Sequence, residues 1–371
     1  MVLPKTKRQA KKVVVAMSGG VDSSVAAALL KKQGWEVSGL TMTLRLPGLG
    51  VRRIFSERLA QARRVADQLQ IPHRTVDLGA DFRRQVVEDF IREYLNARTP
   101  NPCVQCNRGI KFGLLLDAAL ESGADVLATG HYARLVYNRK QDRYDLKKAR
   151  DRDKDQSYFL YPLRPDILSR LVFPLGDCLK PDVRRLARRF GLSRTVVQKE
   201  SQDICFIPAG GYKAFIRKAI GPQAIKPGFF KDHTGRIVGE HLGIIHYTIG
   251  QRDKLGLALG YPAYVFRIDK KSNTVHVGPR ECLRTAGLIA EKCYCFIPFG
   301  PGGSFRADVR IRYHAHAVRA TLTPLPGGKV RVMFQKPQSA VTPGQSAVFY
   351  RGDRLLGGGL ISRPIPISAR A

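Results

Sequence analysis

The spacing of apolar residues changes period along this chain. Val13-Val14-Val15 is a short unbroken apolar run, the pattern of a strand buried on both faces. Val25, Ala28 and Leu29 then fall on one face of a helix. Val37 to Met42 predicts a second strand, Ser56 to Leu69 a helix, and Arg74 to Val76 a short strand. Within Asp81 to Leu95, Phe82, Val86, Phe90 and Tyr94 recur every four residues and predict an amphipathic helix. Lys111 to Ser122 reads as another helix and Val126 to Thr129 as another strand. Strands separated by helices imply an α/β fold, a doubly wound parallel sheet with helices on both faces. Beyond about residue 205 the pattern changes, and Gly and Pro become frequent. From about 285 the period is two. Ala307 to Tyr313, Val318 to Leu322, Val330 to Phe334 and Ala347 to Tyr350 alternate or run apolar between turn signals, which predicts a small C-terminal β-barrel. Three domains are expected: 1–207, a small central domain 208–283, and 284–371.

Composition adds a partner to this picture. Sixty-three Lys and Arg against 30 Asp and Glu give a net charge of +33 over 371 residues. Such an excess points to a polyanion, nucleic acid first, or to a host whose proteins are generally basic. Arg184, Arg185, Arg188 and Arg189 make one cationic helix face, either a solvated face or a phosphate-tracking surface. No apolar run approaches the ~20 residues of a membrane span. The basic start, Met1 to Lys12, reaches its first strand too soon for a secretory signal. A cytoplasmic protein without a membrane partner is expected. Seven cysteines, an odd number, argue against a disulfide framework.

Two segments carry candidate chemistry. Ala16-Met17-Ser18-Gly19-Gly20-Val21-Asp22-Ser23-Ser24 follows the first strand and opens the first helix. A glycine turn at a helix N-terminus offers backbone N–H groups to phosphate. Ser18, Ser23 and Ser24 add hydroxyls, and Asp22 can hold a metal ion. The P-loop lysine is missing. The string is similar to the pyrophosphate-binding loop of ATP pyrophosphatases, which cleave ATP between its alpha and beta phosphates. The second segment is Thr99-Pro100-Asn101-Pro102-Cys103-Val104-Gln105-Cys106-Asn107. Its prolines are expected to hold a rigid loop and to keep helix out until after Asn107. A cysteine just ahead of a helix opening at Lys111, with Arg108 near, should have a lowered thiol pKa. C-x-x-C also reads as half a zinc site or as iron–sulfur ligands, but no second C-x-x-C exists. Cys205, in the polar stretch from Glu200 to Ile207, is a partner thiol or a small buried residue. Cys178, Cys282, Cys293 and Cys295 read as structural.

These strings together resemble the tRNA-specific 2-thiouridylase family of the ATP-pyrophosphatase (PP-loop) superfamily. The matches are Ser18 to Ser23, Thr99 to Phe112, Gly130-His131-Tyr132-Ala133-Arg134, Lys154 to Leu160, Ser201 to Ile207, Tyr247 to Arg252 and Ile311 to His314, in order along nearly the whole chain. The chain departs from the pattern at Cys103 (Asp in many members), Gln61 (usually acidic), Ala263 (usually Trp) and Asp253-Lys254. The resemblance implies an adenine nucleotide alpha-hydrolase-like domain, a central domain and a β-barrel. It implies sulfur insertion at carbon 2 of the wobble uridine of tRNA, with ATP and Mg2+ as cofactors. AMP transfer onto the uracil oxygen, with loss of pyrophosphate, makes that oxygen a leaving group. Ala16, Met17, Ser18, Gly19, Gly20, Val21, Asp22, Ser23, Met42 and Gly130 would bind the nucleotide, with Met42 equally readable as core. Asp22 would also act in catalysis, Cys205 would carry a persulfide, and Cys106 would be the other catalytic thiol. Asn101, Pro102 and Cys103 would meet the target base. Lys154, Asp155, Gln156, Arg312 and Tyr313 would touch tRNA, with Arg312-Tyr313 equally readable as a polar-out, apolar-in strand pair. A cysteine desulfurase or sulfur-relay protein would be the second partner. With Cys at 103, three thiols (Cys103, Cys106, Cys205) could hold a 4Fe–4S cluster, or Cys103 could protect or replace the persulfide thiol. Other expectations are a lysidine synthetase or amidating ligase of the same superfamily, and a non-catalytic RNA-binding protein. The intact Ser18, Gly19, Gly20, Asp22 and Ser23 speak against the last.

Overall fold

The computed structural model describes residues 12–49, 52–196, 204–208, 210–296 and 303–367. They form two compact units. The first draws on residues up to 86, 103–207 and 353–355, and the second on 87–102, 208–352 and those from 356 on.

The first unit is built on a five-stranded sheet. β1 (Lys12–Ala16) is central, with β2 (Glu36–Thr43) and then β3 (His73–Asp77) on one side. β4 (Val126–Ala128) and the two-residue strand Leu171–Val172 lie on the other, and all pairings are parallel. The doubly wound parallel sheet is what the alternation of strand and helix predicts. Helices α1 (Val21–Lys32) and α2 (Arg52–Gln68) connect the first three strands. Val13 and Val15, Val25 to Ala28 and Leu30, and Ala62 and Val65 are buried in one core cluster. That cluster fixes the strand–turn–helix joint after β1, which is where a ligand meets such a sheet.

Three boundaries differ from the sequence pattern. The 81–95 helix runs from Gly79 to Leu95 with a widened, π-helical turn at Arg83–Val87. Helix also begins at Pro102, not after Asn107: Pro102–Gln105 is a helical turn that continues as a π-helical run, Cys106–Leu114. Proline at a first helical position has the right φ and lacks only an N–H that would be orphaned anyway, so Pro102 opens the helix that it was expected to delay. Finally, Ala133–Asn138 and Arg143–Lys148 pair as an antiparallel hairpin that the sequence reading did not contain.

The second unit contains two β assemblies. Tyr264–Asp269, Thr274–Gly278, Gly228–Lys231 and Ile237–His241 form a four-stranded sheet over Phe230, Val265, Val275 and Val277. Arg284–Cys295, Lys329–Ser339, Val318–Leu325, Phe305–Arg310, Ser346–Arg351 and Arg354–Pro366 follow one another in space, and the last pairs back onto the first, closing a six-stranded barrel. The expected strand 307–313 stops at Arg310. Arg312 and Tyr313 lie in the turn beyond it and are not a strand pair. Among the described residues no helix is long and apolar enough to cross a membrane.

Candidate active site

The turn after β1 is held by its own serines. Ser23 Oγ donates to Gly20 O at 3.1 Å and accepts from the Ser18 amide at 3.2 Å. Ser24 Oγ donates to Gly20 O at 2.9 Å and is fully buried, so it shapes the loop and does not face a ligand. Gly19 has φ +77°, and a Cβ there would lie 2.5 Å from Arg58 O of α2. Only glycine allows that left-handed, crowded position. Gly130 approaches just as closely: a Cβ would sit 2.8 Å from both Asp22 C and Ser23 N. Gly20, the N-cap residue of α1, makes no side-chain cap, and the space where its Cβ would be is open apart from Ser18 Oγ at 3.5 Å. Uncapped first-turn amides behind an open glycine suit a phosphate chain, and a carboxylate beside them suits a divalent cation. The residues present therefore fit a nucleotide polyphosphate with its metal ion. Met17 is different: its side chain is buried, its amide bonds Leu40 O at 2.9 Å, and its carbonyl accepts Thr41 Oγ1 at 2.7 Å. It belongs to the sheet core. Met42 is only partly buried.

Asp22 has two partners that the sequence reading missed. Lys180 Nζ lies 2.8 Å from both of its carboxylate oxygens, and Tyr132 Oη donates to Oδ1 at 2.8 Å. Tyr132 comes from the Gly130–Arg134 string, and its hydroxyl is pushed far above its ordinary pKa by burial and by the Asp22 charge. Lys180 is the first residue of helix Lys180–Arg189, whose Val183 and Ala187 enter the same core as α1. The only signal was a lysine ahead of Pro181 in an otherwise ordinary helix start.

The three expected thiols come together in this unit. Cys106 is buried inside the helical run and Cys103 is exposed one turn before it. Cys205 lies in a turn whose next residue, Phe206, packs edge-on against Phe82 at 5.5 Å. Cys205 is within electrostatic reach of both Cys103 and Cys106, and Lys111 is within reach of all three. The π-helical turn explains Lys111, because it brings a residue five positions on back toward the face of Cys106. The lowered thiol pKa is not found. Burial pushes Cys106 up to about 12 and raises Cys205 as well. Cys103, though it reaches solvent, shifts the same way, its crowded surroundings outweighing Lys111. Cys106 lies within the helix and not ahead of it, so desolvation beats the cation. Next to Cys106, Asn107 is buried. Its Nδ2 donates to Phe159 O at 3.3 Å, and its Oδ1 has no partner among the described residues. His131, held by Thr129 Oγ1 at 2.8 Å, is kept neutral by burial and by Lys111. Among the described residues no three His, Cys, Asp or Glu are placed to hold a metal ion. The three thiols, as they stand here, are not placed as the ligand set of a metal ion.

The residues expected to meet RNA divide. Asp155 is only 2 % exposed, and its carboxylate is taken up by the Ala149 and Ser157 amides and Ser157 Oγ. Its carboxylate braces the chain. Gln156 exchanges hydrogen bonds with the Tyr132 main chain, at 3.0 and 2.8 Å, and so positions the Asp22 partner. Lys154 is partly buried, with its amide on Asp151 Oδ1. Asn101 is partly buried and Pro102 buried. In the second unit, exposed Arg312 donates to the carbonyls of Ser339 and Ala340, which fixes its turn, and Tyr313 lies under Arg310 at 5.6 Å. Arg184, Arg185, Arg188 and Arg189 are all exposed on the helix that begins at Lys180. Ser201 to Asp203 lie outside the described residues.

Comparison with known proteins accounts for almost the whole chain. Family models match in three blocks: a tRNA methyl transferase HUP domain over residues 11–209, a tRNA methyl transferase PRC-barrel domain over 213–279, and an aminomethyltransferase β-barrel domain over 286–361. The tRNA-specific 2-thiouridylase MnmA of Carboxydothermus hydrogenoformans is 48 % identical over 362 residues, covering 95 % of this chain and 98 % of its own. That of Pelotomaculum thermopropionicum is 46 % identical, covering 94 % and 97 %. Among solved structures, the U34-tRNA thiolase NcsA from Methanococcus maripaludis with its 4Fe–4S cluster aligns over 58 % of this chain and 67 % of its own, at TM-score 0.34 and 19 % identity. A similarity that slight has no bearing on the chemistry of this chain.

Proposed function

The chain belongs to the tRNA-specific 2-thiouridylase family, and we propose that it replaces the carbon 2 oxygen of the tRNA wobble uridine with sulfur, in the cytoplasm, at the expense of ATP. The observation that carries this is the presence in one unit of a polyphosphate cradle and three thiols gathered around Lys111. A lysidine synthetase or amidating ligase has no use for those thiols. The domains would divide as 1–207, 208–283 and 284–371, in keeping with the three matched blocks.

The first-turn amides of α1 and the open face of Gly20 would hold the phosphates, Asp22 the magnesium ion, and Met42 the adenine. ATP supplies the AMP that turns the uracil oxygen into a leaving group. Sulfur then enters as a nucleophile. A cysteine desulfurase or sulfur-relay protein would leave a persulfide on Cys205. Its terminal sulfur bonds to carbon 2 as AMP departs. The Cys106 thiolate then attacks Cys205 Sγ, the bond to the terminal sulfur breaks, and the sulfur stays on carbon 2 with its electron pair. A Cys106–Cys205 disulfide results, and a thiol reductant must reopen it. Lys111, within reach of both sulfurs, stabilises the thiolate that each step needs. Asn101, Pro102 and Cys103 would meet the base. Lys154, Arg312, Tyr313 and the arginine face from 184 to 189 would track the RNA backbone.

Mass spectrometry of tRNA nucleosides after incubation with ATP, magnesium and a persulfide source tests the reading. Thiouridine with equal AMP and pyrophosphate is expected. ADP and phosphate as products would exclude it.

A further inference from the structure

We propose that Lys180 is a phosphate-binding residue of this site, held on Asp22 until the nucleotide arrives. This rests on the reading that the chain binds ATP in the turn after β1. The Ser18–Ser23 loop contains no lysine, and its anion-binding groups are main-chain amides. A polyphosphate in that cradle meets one carboxylate and needs a cation of the protein's own. Lys180 Nζ, 2.8 Å from both oxygens of Asp22, is at the first turn of α1, where those amides are.

Burial decides between this and a plain ion pair. The Asp22 side chain is 32 % exposed and that of Lys180 only 7 %. A carboxylate so open to water needs no buried counter-ion, whereas a buried ammonium is costly to place. The arrangement therefore serves the lysine's position and not the comfort of the acid. The position is also fixed from behind. Asp151 Oδ2 accepts the Lys180 amide at 2.8 Å, and the helix beginning there is locked to the core by Val183 and Ala187. The Tyr132 ring lies 5.7 Å from Nζ and its hydroxyl shares the same carboxylate. When Asp22 turns to a metal ion, the ammonium stays beside the phosphates and can take their oxygens in place of the Asp22 carboxylate. Asp22 thus keeps the cradle neutral when empty and releases one positive charge when filled.

Calorimetric ATP titrations of wild type, Asp22→Asn, Lys180→Met and the double variant test this, with magnesium and with a metal chelator. Without metal, Asp22 has no favourable part in binding, so the Asp22→Asn background isolates the lysine. There Lys180→Met should weaken ATP about tenfold or more, the loss of one charge-assisted hydrogen bond. Equal affinities would reduce Lys180 to a counter-ion and overturn the proposal. Wild type that fails to bind magnesium-ATP would instead overturn the ATP reading. A measurement on unaltered protein guards against misfolded variants: an acyl-phosphate derivative of ATP acylates the lysine next to its phosphates. ATP-protected labelling of Lys180 supports the proposal, and protected labelling of other lysines alone refutes it.

Discussion

Two sets of cysteines in this protein share a property and differ in its setting. Cys106 and Cys205 in the first unit, and Cys293 and Cys295 in the barrel, are all thiols whose pKa is raised chiefly by burial; Cys106, Cys293 and Cys295 are each pushed up to about 12. Burial alone therefore does not separate the thiols proposed for catalysis from those read as structural. The charges around them do. Lys111 pulls Cys106 and Cys205 down, and Arg58 adds to it at Cys205. In the barrel, Glu291 pushes Cys293 further up and Cys293 pushes Cys295. A buried thiol beside a cation is dormant and can be switched on when the site rearranges. A buried thiol beside a carboxylate is a small apolar residue.

Serine substitution is the harshest test of this contrast. Cys106→Ser and Cys205→Ser should each lower thiolation below about 1 % of wild type, since hydroxyl oxygen can neither carry persulfide nor close the disulfide. Cys293→Ser and Cys295→Ser should stay within about twofold, the range of a change that touches no reacting atom. Nucleoside mass spectrometry reads both, and a barrel variant as dead as Cys106→Ser would end the distinction.

The pH profile comes next. A thiol titrating at about 12 is protonated at neutral pH, and its nucleophilic form grows about tenfold per unit below that pKa. Single-turnover thiolation by persulfide-loaded enzyme should climb steeply between pH 7 and 9 and not level near 8.5. The same shift acts on stability with the opposite sense. A folded-state pKa above the unfolded value favours folding below pH 9 and loses that contribution as pH rises toward 12. A rate plateau near neutrality would mean that the RNA complex already holds Cys106 as thiolate.

Lys111→Met sharpens the contrast further. It should slow both thiolation and alkylation of Cys106 and Cys205 several-fold, because it removes the cation that favours both thiolates. The deficit should narrow as pH rises, Lys111→Arg should restore most of it, and barrel thiols should alkylate as before. A deficit independent of pH would make Lys111 a packing residue.

What the sequence made legible follows from how local each signal is. The parallel sheet, the barrel and the Ser18–Ser23 turn are written in short-range periodicity and in glycines that only one conformation explains. Cys106 and Cys205 stood out by their polar settings, but their common neighbour did not, because Lys111 reaches them through a π-helical turn that no apolar repeat announces. Thiol acidity was misjudged because charge is visible in a sequence and burial is not. Lys180 was missed for the same reason: its partner is distant in the chain, and nothing beside it reports that it lies inside. Asp155 and Gln156 are expected at the RNA from the family string that contains them, and a matching string does not report that a polar side chain is spent on the main chain beneath it.

The gentlest test acts on the barrel side. Glu291 accepts from Arg98 at 3.0 Å while raising Cys293, so Glu291→Gln removes one negative charge with little change of shape. Alkylation of Cys293 should quicken by about two- to fivefold, a modest gain because desolvation remains the larger cause and is untouched. Thiolation should be unchanged. The melting temperature should fall slightly, since Arg98, four-fifths buried, keeps Glu93 at 2.8 Å but loses its second carboxylate. An unchanged alkylation rate would show that burial alone silences the barrel thiols. The contrast between the two sets would then rest on Lys111 and Arg58 alone, with Glu291 serving the barrel only as a partner for Arg98.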